Sequence, residues 1–351
     1  MAPNIKRVFY VNRVSAPVFL EILARRPDVQ VDRLTNDSPE DEVEPVLARA
    51  HAFQIGSARQ ELARKFHGTA ALLERMPHVV VLSTTGAGYD TVNLDDCTRA
   101  GVAAVNQAGG NKEGVAEHVM AMMLSLSKRL MLADHAMRGG GEYDRRDFMG
   151  DDVVERSIGI IGLGNVGSRV AELCRGLFRM RVLAYDPYLS ADVMAARGVA
   201  KVEVLHDLLR QVDYVSINCP HTAETRGMIG AREYALMQPH AYFITTARGG
   251  IHDEEALAEA LRTQQIAGAG LDVWEDEPPP TDHPLLKFDN VLVSPHIAGV
   301  TRQSRHNISK IAAEQLLGVL DGERPPRLLN PEVWPAYCER FERIMGFHPK
   351  D

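Results

Sequence analysis

Short, almost continuously apolar segments recur along this sequence, and each is followed by a segment with helical periodicity. In the second half of the chain the apolar segments lie at 157–161, 182–185, 214–217, 242–245, 268–271 and 291–293. Strands that are apolar on both faces are typical of a parallel sheet covered by helices on both sides. This half therefore predicts a doubly wound α/β domain with a Rossmann-like sheet.

The first hundred residues show the same alternation. Their strand candidates lie at 8–11, 29–34, 79–82 and 102–105, with helical patterns such as 17–25 and 42–50 between them. A long helical pattern at 112–137 connects the two series, and another at 302–320 closes the chain. We expect a discontinuous, flavodoxin-like domain of residues 1–108 and 300–351, and a Rossmann-like domain of residues 109–299.

The overall composition limits the classes of partner. The formal net charge of −8 would repel a phosphate backbone, so nucleic-acid binding is not expected. The N-terminus shows no signal-peptide pattern and no segment reads as a membrane span, which predicts a cytoplasmic protein with no membrane partner. The four cysteines form no C-x-x-C pair, which indicates free thiols, and the thirteen histidines include no spaced ligand set, so no metal is expected.

A glycine-rich turn follows the strand candidate at 157–161. It matches G-x-G-x-x-G through Gly162, Gly164, Asn165, Val166 and Gly167 and opens a helical pattern, so the pyrophosphate of a dinucleotide can bind the helix N-terminus. Asp186 follows the next strand about 20 residues on, where a carboxylate binds the ribose hydroxyls and repels a 2′-phosphate. NAD is favoured over NADP. The alternatives are a turn role for Asp186 before Pro187 and a flavin as the dinucleotide.

Three chemically suited residues follow three consecutive strand candidates of the second series. Arg248, Glu277 and His296 come just after the segments at 242–245, 268–271 and 291–293. Ligands of an open α/β sheet bind beyond the carboxyl ends of its strands, so these side chains can converge there. A cation, a proton donor and a carboxylate that tunes the donor are what the reduction of a 2-oxo acid requires. Each residue taken alone also has an ordinary interpretation: Arg248 as a structural arginine, Glu277 as a surface acid and His296 as a core histidine.

Several motifs resemble the signatures of the D-isomer-specific 2-hydroxyacid dehydrogenases. They are A-R-G-G-I-H-D-E-E-A-L at 247–257, G-A-G-L-D-V-W-E-D-E-P at 268–278 and S-P-H-I-A-G at 294–299. G-A-G-Y-D at 86–90 and N-K-E-G-V-A-E-H at 111–118 extend the resemblance over most of the chain. The chain departs from the family at His252, where Val is frequent, and at Tyr143, where many members have Trp.

The resemblance implies specific roles for individual residues. Arg248 would bind the substrate's carboxylate and carbonyl, His296 would be the general acid and base, and Glu277 would hydrogen-bond the imidazole and favour its protonated form. Backbone amides around Ala87 and Gly88 would hold the carboxylate, and Asp272 would accept a hydrogen bond from the nicotinamide carboxamide. Further cofactor contacts are implied for Cys219, Pro220, Thr225, Thr246, Ala247 and Gly299.

The implied activity is NAD-dependent hydride transfer between nicotinamide and C2 of a small D-2-hydroxy or 2-oxo acid, in a homodimer paired through the long helix and the segment after it. Hydroxypyruvate, glyoxylate, 3-phosphoglycerate and bulkier acids remain open. Arg59, Arg302 and Arg305 are candidates for binding a second anionic group of the substrate. The alternative is that they are ordinary surface residues. The alternative is an NAD(H)-sensing binding protein resembling the C-terminal-binding co-repressors, which share the fold and the catalytic set.

Overall fold

The computed structural model describes residues 5–140 and 142–350. The chain forms two compact units, one of Met1–Asn111 with Arg302–Asp351 and one of Lys112–Thr301. Both are α/β folds built on parallel sheets, so the predicted fold class is confirmed. Within the described ranges, no helix combines the length and apolar character needed to cross a membrane.

The first unit contains a five-stranded parallel sheet in the order β2-β1-β3-β4-β5, the flavodoxin-like order. Its strands are β1 (Lys6–Val11), β2 (Val29–Leu34), β3 (Ala52–Ile55), β4 (Val81–Thr84) and β5 (Ala103–Val105). Its helices are α1 (Val18–Leu23), α2 (Glu40–Leu47), α3 (Ala70–Glu74), α4 (Leu94–Arg99), α12 (Arg302–Leu320) and α13 (Trp334–Met345).

Alternate residues of each strand in this sheet enter two different cores. Phe9 and Phe53 stack at a centroid distance of 4.1 Å on the face covered by α2, α3 and α4. Val8 points to the other face, where α1, α12 and α13 pack, for example through Leu316 and Phe341. The C-terminal helices thus complete the core of the first unit, because the sheet's second face would otherwise expose its apolar side chains to water.

The second unit contains a seven-stranded parallel sheet in the order β12-β11-β10-β9-β6-β7-β8. Its strands are β6 (Ser157–Ile161), β7 (Arg181–Tyr185), β8 (Ala200–Lys201), β9 (Tyr214–Ile217), β10 (Tyr242–Thr245), β11 (Gly268–Leu271) and β12 (Val291–Val293). Its helices are α5 (Lys112–Ser127), α6 (Leu130–Gly139), α7 (Asn165–Phe178), α8 (Ala191–Ala196), α9 (Leu205–Leu209), α10 (Ala231–Tyr234) and α11 (Glu254–Arg262). The strand order reverses between β6 and β9, which is where such sheets bind ligands.

The helix predicted at 112–137 is broken in the structure. Helix α5 ends at Ser127, and Arg129 adopts a left-handed conformation with φ 52° before α6 begins at Leu130. The hydroxyl of Ser127 is anchored by Tyr214 at 2.8 Å, which fixes the end of α5 on the sheet. The prediction of one continuous helix was wrong because helical periodicity continues across the break, while the break is stabilised by these tertiary contacts.

One buried histidine of the second unit is unusual. His252 packs against the ring of Phe243, with 5.3 Å between centroids, and neither of its ring nitrogens has a hydrogen-bond partner among the described residues. Burial lowers the pKa of His252 to about 4, and the charge of Asp253 opposes this shift only in part. The side chain is therefore neutral near pH 7, with a donor and an acceptor that are both unsatisfied.

We expect His252→Val to stabilise the protein by about 1 kcal/mol at pH 7, because it removes buried unpaired polar atoms. The wild-type free energy of unfolding should fall as the pH drops from 6.5 towards 4, since in this window the unfolded chain binds a proton at His252 and the folded chain does not. Urea denaturation at pH 7, 5.5 and 4.5 measures both effects. His306 is exposed, and His306→Val is the control. If the free energy of unfolding changed equally with pH in wild type and in His252→Val, the expectation would be contradicted.

Candidate active site

The glycine-rich turn lies at the switch point between β6 and β9, and two of its three glycines are required by close contacts. Gly162 has φ +88°, and a Cβ there would lie 2.8 Å from the backbone nitrogen of Cys219. A Cβ on Gly167 would lie 2.1 Å from the carbonyl oxygen of Gly162. A Cβ on Gly164, by contrast, would meet no described atom within 4 Å. The turn is therefore tightly packed at Gly162 and Gly167 and open at Gly164, as a pyrophosphate site at the start of α7 requires.

Asp186 follows β7 beside this turn. One carboxylate oxygen accepts the backbone N–H of Leu163 over 3.0 Å, and the other accepts that of Tyr188 over 3.0 Å. Each carboxylate oxygen has a second lone pair, so two ribose hydroxyls can still bind. Asn165 and Val166, in the first turn of α7, present N–H groups at its N-terminus. These residues fit the adenosine half of a dinucleotide.

The loops after β9 and β10 supply the other predicted cofactor residues. Cys219 contacts the glycine turn directly, as the geometry at Gly162 shows. The hydroxyl of Thr225 donates to the carbonyl of Pro220 over 2.7 Å and accepts the N–H of Thr222 over 2.8 Å, so Thr225 shapes the turn of Cys219 and Pro220. Thr246 and Ala247 follow β10, and Gly299 lies in the loop after β12. Their contacts with a cofactor remain predictions.

His296 and Glu277 form a hydrogen-bonded pair. The imidazole Nδ1 lies 3.0 Å from Oε1 and 2.9 Å from Oε2 of Glu277, and because an ionised carboxylate only accepts, Nδ1 carries the proton. Burial alone would raise the pKa of the Glu277 carboxyl, but the hydrogen bond from His296, with the charges of His296 and Arg248, holds that pKa below its ordinary value. The second nitrogen, Nε2, is left as the atom that can exchange a proton.

Arg248 follows β10, the strand that neighbours β11 in the sheet. One guanidinium nitrogen, Nη1, donates to the carbonyl of Ala247 over 2.7 Å. The positive charge of Arg248 makes a small contribution to the lowered pKa of Glu277. Because β10, β11 and β12 are consecutive parallel strands, the loops that carry Arg248, Glu277 and His296 leave the same edge of the sheet.

Asp272 has a structural task that sequence reasoning missed. Its fully buried carboxylate accepts the hydroxyl of Ser294 over 2.6 Å and the backbone N–H groups of Ile297 and Ala298, each over 2.8 Å. The N–H of His296 in turn donates to the carbonyl of Asp272 over 2.7 Å. Asp272 therefore fixes the backbone on both sides of His296. Its expected bond to the nicotinamide carboxamide remains a prediction.

His118 on α5 was not assigned a role from the sequence either. Its Nε2 lies 3.0 Å from the hydroxyl oxygen of Ser294. Since that hydroxyl gives its only proton to Asp272, it accepts from Nε2–H of His118. The signal that could have identified this contact is the motif at 111–118, which contains His118.

In the first unit, the predicted carboxylate-binding turn follows β4. The carbonyl of Gly86 accepts the N–H of Gln107 over 2.8 Å, and the carbonyl of Ala87 accepts the amide of Asn106 over 2.8 Å. In a trans peptide the N–H points opposite to the preceding carbonyl, so the N–H groups of Ala87 and Gly88 point away from these partners. This orientation fits an anion-binding turn.

Two of the three candidate anion-binding arginines make contacts inside the first unit. The Nε of Arg59 donates to the carbonyl of Asp90 over 2.7 Å, just beyond the turn at Gly88. Arg305 donates to the hydroxyl of Ser15 over 3.3 Å, and Arg302 is exposed at the start of α12. The structure leaves their role in binding a second anion as a prediction.

Comparison with known proteins identifies the family. Residues 120–298 match the family model described as D-isomer specific 2-hydroxyacid dehydrogenase, NAD binding domain. A glyoxylate reductase from Aeropyrum pernix is 35% identical over 333 residues, which cover 93% of this chain and 96% of that protein. The chain belongs to the D-isomer-specific 2-hydroxyacid dehydrogenase family. The matched residues 120–298 lie within the second unit, and the family predicted from the motifs is confirmed.

Other 2-hydroxyacid dehydrogenases share the fold at lower identity. The enzyme from Ketogulonicigenium vulgare superimposes with a TM-score of 0.78 at 26% identity, covering 94% of this chain and 99% of that one. A D-lactate dehydrogenase from Aquifex aeolicus, solved with NAD and lactic acid, gives 0.76 at 28% identity, with coverage of 92% and 99%.

Some similar 2-hydroxyacid dehydrogenases are much longer than this chain. A D-3-phosphoglycerate dehydrogenase from Archaeoglobus fulgidus is 37% identical over 307 residues, which cover 84% of this chain but 57% of that protein. Another, from Methanocaldococcus jannaschii, is matched over 49% of its length at 35% identity. The chain thus spans about half the length of these two relatives.

Proposed function

We propose that this protein is an NAD-dependent oxidoreductase that transfers a hydride between nicotinamide and C2 of a small D-2-hydroxy or 2-oxo acid. One observation carries the proposal: the imidazole of His296 is hydrogen-bonded to Glu277 at the sheet edge from which the Arg248 loop also leaves. This set supplies a proton donor, a carboxylate that fixes its tautomer and a cation for the substrate.

In the reducing direction, a bound nicotinamide would supply the hydride. The protein supplies the cation that binds the substrate and the group that donates the proton. Arg248 binds the carbonyl and carboxylate of the 2-oxo acid and stabilises the negative charge that develops on the carbonyl oxygen. Nε2–H of His296 donates its proton to that oxygen, which gives the hydroxyl of the product. Glu277 holds the resulting neutral imidazole by Nδ1–H, which leaves Nε2 as the atom that takes up a new proton. Oxidation runs through the same groups in reverse.

We propose that the substrate is a small 2-oxo or 2-hydroxy acid, namely hydroxypyruvate, glyoxylate or 3-phosphoglycerate. The support is that similar proteins are named glyoxylate reductase, D-3-phosphoglycerate dehydrogenase and glyoxylate/hydroxypyruvate reductase B. In the first unit, we assign binding of a carboxylate to the N–H groups of Ala87 and Gly88. None of the similar proteins named here is described as an NAD(H) sensor, so the binding-protein alternative gains no support.

The test mixes the protein with hydroxypyruvate or glyoxylate and NADH, or with 3-phosphoglycerate and NAD, and follows each reaction at the nicotinamide absorbance band. We expect turnover of at least one acid, and if hydroxypyruvate is reduced, chiral analysis of the product should give the D-hydroxy acid. Tight NADH binding without turnover of any of these acids would contradict the proposed activity.

We expect Asp186→Asn to weaken NADH binding about tenfold and to strengthen NADPH binding. The neutral amide accepts weaker hydrogen bonds from the ribose hydroxyls and no longer repels a 2′-phosphate, while it still offers an oxygen to Leu163 N–H. Titration of protein fluorescence with each cofactor measures the dissociation constants of NADH and NADPH. Asp192→Asn, an exposed acid on α8, is the control. An unchanged ratio of the two constants would remove Asp186 from the ribose site.

We propose that the protein is a homodimer that pairs through α6 and the segment after it. All ten residues of α6 are described and none is buried, although Leu130 and Met137 lie one above the other on its surface. Met137 is 66% exposed, and Tyr143 and Met149 beyond the helix are also exposed. Large apolar side chains exposed along one short segment of the chain are typical of a protein interface.

We expect Met137→Glu to convert this dimer to a monomer at micromolar concentration, because the interface would bury an unpaired carboxylate. Size-exclusion chromatography with light scattering measures the mass. Leu177→Glu, a comparably exposed position on α7, should leave the dimer intact. A wild-type protein that is monomeric at the same concentration would refute the assignment of this surface.

We also propose a reducing, cytoplasmic location. Cys97, Cys174 and Cys219 are free thiols. Burial raises the pKa of Cys97 and Cys174 to about 12, and the charge of Asp96 adds to the effect at Cys97, so both remain protonated and unreactive. Free buried thiols are typical of proteins of reducing compartments.

A further inference from the structure

The loop after β11 is joined to the loop after β12 through one buried residue, Trp274. The backbone N–H of Trp274 donates to Oε1 of Glu277 over 3.2 Å. Its indole Nε1–H donates to the carbonyl of Ser294, also over 3.2 Å, two residues before His296. Two N–H groups of a single residue therefore hold the carboxylate partner and the chain segment of the proposed acid and base.

The main chain of Trp274 also contacts the loop after β10. A Cβ on Gly249 would lie 1.9 Å from the carbonyl oxygen of Trp274 and 2.6 Å from the nitrogen of Glu275. Only glycine permits this approach, so the backbone next to Arg248 rests directly on that of Trp274. Trp274 thus touches all three loops that carry the proposed catalytic side chains.

The far side of Trp274 is held by α11 and the segment around His283. The ring of Trp274 packs edge-on against His283, with 5.5 Å between centroids. His283 Nε2 lies 3.0 Å from Oε2 of Glu254, and Oε1 of Glu254 accepts the N–H of Glu275 over 2.7 Å. The indole is therefore fixed from behind, so its N–H is a rigid donor rather than a mobile side-chain contact.

His296 needs such support, because its backbone is in the left-handed region with φ 54°. A non-glycine residue held there costs free energy, on the order of 1 kcal/mol, unless its surroundings impose the conformation. The bond from Trp274 to Ser294 restrains the chain just before His296, and Asp272 restrains it just after. Losing the indole donor would allow this segment to relax and the imidazole to turn away from Glu277.

We propose that Trp274 is a positioning residue for the hydride-transfer reaction, which sets the imidazole of His296 against Glu277 through its two N–H groups. The inference rests on the proposed function. Trp274 itself donates nothing to substrate or cofactor in this proposal. Its effect reaches the reaction through the orientation of His296, so it should change the rate of the chemical step more than the binding of either ligand.

The sequence contains two tryptophans, which provides a matched control. Trp274→Phe removes the indole N–H and keeps an aromatic ring, whereas Trp334→Phe makes the same change where Nε1 has no hydrogen-bond partner among the described residues. We expect Trp274→Phe to lower kcat about fivefold to tenfold, with KM and the Kd of NADH within twofold of wild type. Trp334→Phe should leave all three constants within twofold.

A double-mutant cycle tests whether Trp274 acts through the pair. If it does, adding Trp274→Phe to Glu277→Gln should lower kcat by less than twofold, because the interaction that it supports is already lost. Full additivity of the two effects would overturn the proposal. A general loss of folding would instead appear as a lower Tm with an unchanged kcat per folded molecule, which also overturns it.

A second readout does not depend on turnover. The Nδ1–H of His296, hydrogen-bonded to a carboxylate, should give a downfield proton NMR signal that His296→Asn removes. We expect this signal to be broadened by exchange with water in Trp274→Phe and retained in Trp334→Phe. If the wild type reduces no 2-oxo acid, the proposed function fails while the NMR comparison still decides the positioning role. A sharp signal and wild-type kcat in Trp274→Phe would refute it.

Discussion

Replacing His296 by Asn is expected to lower kcat for 2-oxo acid reduction by roughly 100-fold to 10,000-fold, the usual contribution of a positioned general acid. The amide nitrogen of asparagine can take the place of Nδ1 and still donate to Glu277, but no group replaces Nε2. The expected loss therefore reports proton transfer alone. Steady-state kinetics with saturating NADH gives kcat, and fluorescence titration gives the Kd of NADH, which should stay within twofold.

The matched control is His306→Asn, at an exposed histidine on α12, which should have wild-type kinetics. A kcat for His296→Asn within tenfold of wild type would show that another group, or water, delivers the proton. In that case the contact between His296 and Glu277 would be structural, and the proposed mechanism would have to be abandoned even if the protein reduced 2-oxo acids.

Replacing Arg248 by Lys is expected to lower kcat/KM by about 30-fold to 1,000-fold, which corresponds to about 2–4 kcal/mol of lost transition-state stabilisation. A guanidinium can bind a carboxylate and a neighbouring carbonyl oxygen at once with two fixed N–H groups, whereas an ammonium is a point charge. Because the charge on the carbonyl oxygen grows in the transition state, both KM and kcat should change. Initial rates over a range of substrate concentrations separate the two.

Arg262→Lys is the control for this second experiment. Arg262 is exposed on α11 and paired with Glu259, so exchanging its cation should not alter kinetics. If Arg248→Lys kept the wild-type kcat and changed KM alone, Arg248 would bind the substrate without polarising it. Unchanged kcat and KM would remove it from the site.

The charge of Glu277 does not change in the pH range of these two experiments. Its lowered pKa means that the carboxylate is ionised in the folded protein at neutral pH. The stabilisation from its pairing is complete above the ordinary pKa of a glutamic acid and is lost as the pH falls through the lowered value. The pair is therefore lost only at a pH below the ordinary pKa of a glutamic acid, away from the neutral pH at which the kinetics of the variants are measured.

Much of the architecture is visible in local sequence patterns. The apolar segments that follow one another from 157 to 293 correspond to β6, β7, β9, β10, β11 and β12. Two strands were not predicted, the short edge strand β8 and, in the first unit, β3. The glycine-rich turn was identified from its spacing together with the strand before it and the helical pattern after it. Such a motif can be found in a sequence because the backbone geometry at Gly162 and Gly167 permits only glycine.

Other features depend on contacts between distant residues, and periodicity carries no information about these. The break at Arg129 interrupts a helix whose apolar pattern continues, so only the packing of Ser127 on Tyr214 reveals it. The chain from His118 through Ser294 to Asp272 links α5 to two loops more than 150 positions away. The role of Trp274 is hidden in the same way.

The sequence by itself determined which residues are proposed for the chemistry, because Arg248, Glu277 and His296 each follow a strand whose apolar run marks where its carboxyl end lies. Only the tertiary structure decided how they are held. Asp272, Trp274 and His118 act through hydrogen bonds to main-chain or hydroxyl groups of other loops. Such bonds form between groups that every sequence contains, so only their positions in space select the partners.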